Sequence, residues 1–225
     1  MIRIAQVVEA VEGGCKKHVL DLVCGLDNER FHQTVLFSTH RDVGFEEQVR
    51  AATAGRAETI CCEFRREIVP RSDLAAYRFL RHLFQERDFD IIHCHSAKAG
   101  LLGRLAARGL RAATLYTPHC FPFQMHTSPV ARQAYLYAER LAGRYTDRLV
   151  AVSPSEAEIG KRLRVVPPDR VVTIENGINP LRLRQGRRDR GGQARRIAGR
   201  REVTRLRLAD PVPDPGDVRA DDGNA

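Results

Sequence analysis

No stretch of this 225-residue sequence approaches the roughly 18 consecutive apolar residues that a membrane-spanning helix needs. Met1 to Val8 also lack the long apolar core and small-residue cleavage site of a signal peptide, so a cytoplasmic protein is expected. The six cysteines (Cys15, Cys24, Cys61, Cys62, Cys94, Cys120) contain no CxxC spacing, which argues against a zinc ribbon or a redox motif, and they read as reduced structural thiols. Lysine is scarce. Only Lys16, Lys17, Lys98 and Lys161 contribute to the 37 basic residues, so the net charge of +9 is carried by arginine. Residues 181–225 hold 12 of those basic residues and 7 of the 28 acidic ones, which leaves only +4 on the first 180 residues. Charge alone therefore gives no reason to expect nucleic-acid binding.

Two catalytic signatures are missing as well. The G-x-G-x-x-G dinucleotide fingerprint is absent after the first strand, where Gly13-Gly14 is followed by Cys15-Lys16-Lys17-His18. Ser153 and Ser155 lie outside any G-x-S-x-G elbow and read instead as helix caps. Glu9, Glu12, Glu156 and Glu158 show no acid–base spacing and read mostly as solvated.

What is present is alternation. Apolar runs at 2–8, 32–39, 58–62, 90–94, 113–117, 148–152 and 171–174 read as strands. Between them lie helical patterns: Val19 to Leu26, a stretch near 45–52, a helix capped by Ser72-Asp73, another at 98–108 carrying Leu101, Leu102, Leu105 and Ala106 on one face, a long one at 130–145, and a short one after Ser153-Pro154-Ser155. Such βα alternation predicts an α/β fold, a Rossmann-like doubly wound parallel sheet of about seven strands. Functional loops are then expected at the carboxyl ends of the strands.

Three features fall at such ends. Gly13-Gly14 suits either a tight strand-to-helix turn or close approach of a phosphate to a helix N-terminus. His95, followed by Ser96 and Lys98, suits a cleft wall. His119 could offer a substrate a hydrogen bond or a positive charge. For either histidine a loop-stabilising hydrogen bond is the structural alternative. His93-Cys94-His95 invites a zinc reading, but strand alternation turns Cys94 away from both histidines and no second ligand cluster accompanies them, so no metal site is assigned.

Beyond Pro180 the pattern ends. Residues 181–225 contain no Phe, Tyr or Trp and no usable hydrophobic period, so they read as an arginine-rich tail without ordered structure. Its Arg, Gly, Pro, Asp and Ala content is what a GC-rich gene encodes when translated out of frame, so a frameshift product is one expectation.

In order, the Gly13-Gly14 loop with His18-Val19-Leu20-Asp21-Leu22, the strand Asp90 to His95, Thr117-Pro118-His119, Val150-Ala151-Val152-Ser153 and Asn176-Gly177-Ile178-Asn179 resemble the amino-terminal half of family 4 glycosyltransferases of the GT-B type. The resemblance implies transfer of a sugar from a nucleotide donor with retention, to a lipid-linked or saccharide acceptor, at the inner membrane face. It assigns Gly13 and Gly14 to the donor diphosphate, His119 to the reacting centre, His95, Ser96 and Lys98 to the acceptor cleft, and Asn176-Gly177 to the crossover into a second domain. No cofactor is implied beyond the donor substrate. The donor-binding domain of that family finds no counterpart in 181–225, so the chain is expected to be truncated before it and inactive alone. A non-catalytic module pairing with a separately encoded donor domain, or an anion binder acting through the basic tail, are the alternatives.

Overall fold

A computed structural model of the chain describes residues 1–39, 42–62, 64, 65 and 67–177. The expectations for the tail and for Asn179 lie outside them. The described residues form seven strands, β1 (Ile2–Val8), β2 (Phe31–Phe37), β3 (Glu58–Cys61), β4 (Ile91–His95), β5 (Ala113–Thr117), β6 (Arg148–Ala151) and β7 (Val171–Thr173). Six helices connect them: α1 (Gly13–Gly25), α2 (Phe45–Thr53), α3 (Pro70–Glu86), α4 (Ala97–Ala107), α5 (Pro129–Gly143) and α6 (Pro154–Arg162). All neighbouring strands pair in parallel in the order β3-β2-β1-β4-β5-β6-β7. The expected doubly wound sheet is therefore present. Among the described residues no helix is long and apolar enough to cross a membrane.

The period of two along each strand divides the interior. Ala5, Val7, Leu36, Ile92, Cys94, Tyr116 and Leu149 join α3, α4 and Ala157 of α6 in one apolar cluster. Val8, Val35 and Phe37 join Cys15, Val19 and Val23 of α1 and Phe45 and Val49 of α2 in another. The second face of β4 carries His93 and His95, and α1 brings His18 toward them. Because the chain runs outward from β1 to β3 and then returns to β4 on the other side of β1, the crevice between β1 and β4 opens at the topological switch point.

Two helices differ from expectation. Helix α3 starts at Pro70, with Val69 as its N-cap, three residues before the predicted cap at Ser72. Proline at the first helical position starts the helix with its φ already set, and Asp73, in the first turn, accepts from the Val69 amide (3.2 Å) rather than capping. Helix α4 buries Ala99, Gly100, Gly103, Arg104, Ala106 and Ala107, leaving Leu101, Leu102 and Leu105 half-exposed. The small residues are needed because α4 lies almost on the sheet. A Cβ at Gly100 would come within 2.3 Å of the Tyr116 ring, and one at Gly103 within 2.5 Å of the Cys94 sulfur.

Gly143, at the end of α5, is tighter still, since a Cβ there would meet the Val165 carbonyl oxygen at 1.8 Å. Backbone cannot swing aside as a side chain can. Gly143→Ala is therefore expected to lower stability by about 1–3 kcal/mol or more, read as a lower urea midpoint at unchanged m-value. A midpoint equal to wild type would mean that the loop carrying Val165 yields freely.

Candidate functional site

The carboxyl ends of β1, β4 and β5 stand level with one another, Val8 opposite His95 and His95 opposite Thr117. Past these ends lies a cavity of about 580 Å³ whose lining includes Gly13, Gly14, Ser96, Lys98, His119 and Asn176. Sequence-distant residues thus meet in one place.

One wall is the start of α1. Gly13 has φ of 54°, a left-handed conformation that admits glycine without strain, and a Cβ at Gly13 or Gly14 would meet nothing within 4 Å. No acidic residue occupies the first turn and the N-cap Glu12 makes no side-chain capping bond, so the positive end of the helix dipole faces the cavity, which Glu9 and Glu12 also line.

The opposite walls are the loops after β4 and β5. Ser96 (φ 66°), His119 (φ 55°) and Cys120 (φ 107°) are non-glycine residues in the left-handed region, a concentration of strain typical of sites that hold side chains for use. The Ser96 amide donates to the Thr117 carbonyl (3.1 Å), which ties the two loops together. The Ser96 hydroxyl is buried and has no hydrogen-bond partner. Lys98 donates to Asp73 (2.7 Å) and to the Glu67 carbonyl, so its charge is already neutralised.

Glu156 braces the His119 loop. Its carboxylate is buried and accepts from the Cys120 amide (2.9 Å) and the Val152 amide (2.8 Å), while its own amide donates to Ser153 Oγ (3.2 Å). The expectation of solvated glutamates fails here and at buried Glu9. The signal was in the sequence: Ser153-x-x-Glu156 is a capping-box pattern, with the glutamate turned to a neighbouring loop instead of its own N-cap. Ser153 caps α6 as expected.

His95 is fully buried and reaches the cavity only through His119. Its Nε2 faces Gln6 Oε1 at 2.9 Å and its Nδ1 faces His119 Nε2 at 3.4 Å. His18 joins from α1, its ring centroid 4.8 Å from that of His119, with Nδ1 2.5 Å from Asn176 Oδ1. His93 packs on His95 and pairs with Thr117 Oγ1 at 2.8 Å. Burial, followed by the other histidines, pushes His93 down to about 3 and His95 well below the usual imidazole value. Burial and then His18 push His119 down to about 3. Desolvation thus favours a neutral His119 imidazole, able to exchange hydrogen bonds, over the positive charge considered from the sequence. Asn176 and Gly177 stand against α1, where the Gly177 carbonyl accepts from Lys17 (3.3 Å).

No disulfide joins the six cysteines, and only Cys15, Cys62 and Cys94 are buried; Cys24, Cys61 and Cys120 are exposed. Sequence reasoning gave no site role to His18, Gln6 or Glu156, each of which makes a contact distant along the chain, with Asn176, His95 and the Cys120 amide respectively.

The chain is 30% identical over 122 residues to the UDP-Gal:alpha-D-GlcNAc-diphosphoundecaprenol alpha-1,3-galactosyltransferase of Escherichia coli, covering 54% of this chain and 30% of that protein. Its fold is similar to that of a glycosyltransferase from Rickettsia africae ESF-5, with a TM-score of 0.57 and 19% identity over 84% of this chain and 49% of the other. The UDP-GlcNAc 2-epimerase from Neisseria meningitidis, solved with UDP-GlcNAc, shares the fold at a TM-score of 0.54 and 14% identity, covering 76% of this chain and 46% of that one. The chain therefore spans less than half the length of each of these proteins, and the likeness to an epimerase shows that this fold serves more than one reaction. Residues 13–177 match the family described as Glycosyl transferase 4-like domain, most of the described chain, and the protein belongs to that family.

Proposed function

We propose that this glycosyltransferase-like domain, residues 1–180, is the acceptor-side half of an enzyme that transfers a sugar from a nucleotide sugar to a lipid-linked or saccharide acceptor with retention of configuration. The observation that carries the proposal is the cavity at the switch point, which has a helix N-terminus on one wall and a strained His119, with its pKa pushed down, on the other. In this reading the amides at Gly13 and Gly14 meet the donor diphosphate, and His119 exchanges a hydrogen bond with the sugar at the reacting centre. Ser96 offers its unpartnered hydroxyl to the acceptor, while Lys98 holds the acceptor loop through Asp73. Asn176 and Gly177 lead toward a donor-binding domain. The substrates of the E. coli galactosyltransferase, a UDP-sugar donor and a sugar on diphosphoundecaprenol, support the substrate class. An acceptor of that kind would bring the domain to the inner membrane face.

Half a cleft fixes one reactant and leaves the charge of the diphosphate without its second set of partners, so little rate acceleration is expected from this chain alone. The test is product formation from UDP-galactose and a polyprenyl-diphosphate GlcNAc acceptor, first with the purified chain and then with a donor domain added. No product is expected in the first case. Transfer is expected in the second, and His119→Ala should cut it by about 100-fold or more. Robust transfer by the chain alone would overturn the half-cleft reading, and an unaffected His119→Ala would remove that residue from the reacting centre.

A further inference from the structure

His18 of α1, His95 of β4 and His119 of the loop after β5 cluster together, with His119 lining the cavity, and one ring nitrogen of each lies within 4.8 Å of those of the other two. We infer that His18, His95 and His119 form a binding site for a divalent transition metal of the zinc class, a site separate from any phosphate-bound cation and one that the sequence could not disclose.

The hydrogen bonds around the trio support this assignment. With Gln6 Oε1 accepting, His95 carries its proton on Nε2 and keeps the Nδ1 lone pair turned toward His119. With Asn176 Oδ1 accepting, His18 carries its proton on Nδ1 and leaves Nε2, which is buried and has no partner. Oxygen acceptors behind the His95 and His18 rings thus fix those two tautomers with their lone pairs free, as outer partners do around bound metals. The 3.4 Å between His95 Nδ1 and His119 Nε2 is long for a hydrogen bond. It matches the roughly 3.3–3.4 Å edge of a tetrahedron with metal–nitrogen bonds of about 2.0–2.1 Å. His18 has to shift by on the order of an ångström to complete that geometry. Three imidazoles are a donor set suited to zinc or cobalt and unsuited to magnesium or calcium, which take oxygen ligands. His93 stays outside the site, its Nε2 being committed to Thr117.

Metal binding here does not depend on the transfer reading, and it is tested without an activity assay. The chelator-treated 225-residue chain is titrated with Co²⁺ and its visible spectrum recorded. One equivalent is expected to bind with the d–d bands of a tetrahedral site and no thiolate-to-cobalt band. His18→Ala and His119→Gln should each weaken binding at least about tenfold, and Asn176→Ala, which frees the His18 ring, should weaken it about tenfold. Should a variant fold poorly, the wild-type chain decides: on addition of Zn²⁺, ring signals of three of the eight histidines shift in a two-dimensional NMR spectrum. The absence of a stoichiometric site, a thiolate band, unchanged affinity in the folded variants, or shifts confined to other histidines would each overturn the assignment.

Discussion

Glu139→Gln is expected to remove about 3–5 kcal/mol of unfolding free energy, the larger of the effects foreseen for a single buried side chain. Arg104 is wholly buried within α4 and Glu139 is nearly so within α5. The guanidinium donates to Glu139 Oε2 (2.7 Å) and to the Gly100 carbonyl (2.6 Å), and lies 3.7 Å above the centre of the Tyr116 ring. The other carboxylate oxygen accepts from the Tyr116 hydroxyl (3.0 Å). Glutamine keeps the shape and one acceptor oxygen but removes the negative charge, leaving a cation in an apolar layer with one guanidinium nitrogen already lacking a partner. Desolvating that charge is costly once nothing of opposite sign offsets it. The urea midpoint should fall sharply. Replacing both residues together, Arg104→Met with Glu139→Leu, should recover most of the loss, because no buried charge then remains. If the single variant lies within about 1 kcal/mol of wild type, the charge is not desolvated as the geometry requires. The consequence reaches the site. Arg104 holds α4 against β5 and α5, and the N-terminus of that helix carries Ser96 and Lys98 at the cavity.

The sheet was legible because the strands are short, largely apolar runs carrying β-branched residues, three of them marked at one end by Asp90, Pro118 or Asp147. From the alternation alone came the parallel topology and the level at which Gly13, Ser96 and His119 would meet. The faces of the helices were harder to read. Leucine marks burial when helix and sheet lie a side chain apart, but α4 lies closer than that, so glycine and alanine took the inner face and the leucines were displaced to its margins. The Arg104–Glu139 pair spans 35 residues and looks in sequence like two solvated charges on separate helices. Likewise His18, His95 and His119 belong to three elements with no spacing in common. Only the register that sets Val8, His95 and Thr117 side by side brings them together.

The second large effect is a loss of stability in acid, expected in chelator-treated buffer between pH 6.5 and about 3. His93 and His119 are held down to about 3 in the folded chain and His95 well below its usual value, against 6.5 when unfolded. Above pH 6.5 neither state binds these protons, and stability does not depend on them. Below it the unfolded chain takes up protons that the folded chain refuses, so acid favours unfolding. Each refused proton costs about 1.4 kcal/mol per pH unit, and three together approach roughly 4 kcal/mol per unit. A domain with a typical stability of about 5–15 kcal/mol would then lose much of it within about two pH units. Urea unfolding at pH 7, 6 and 5 measures this directly, with His93→Gln expected to reduce the slope by about one proton's share. A stability that stays flat from pH 7 to 5 would show that the histidines protonate in place, and that the site is wetter than its burial implies. If the slope is found, it also determines how any activity profile should be read. Because the fold yields before His119 reaches its own titration range, the acid limb of a rate–pH curve would report unfolding, and the working enzyme would use His119 in its neutral form throughout.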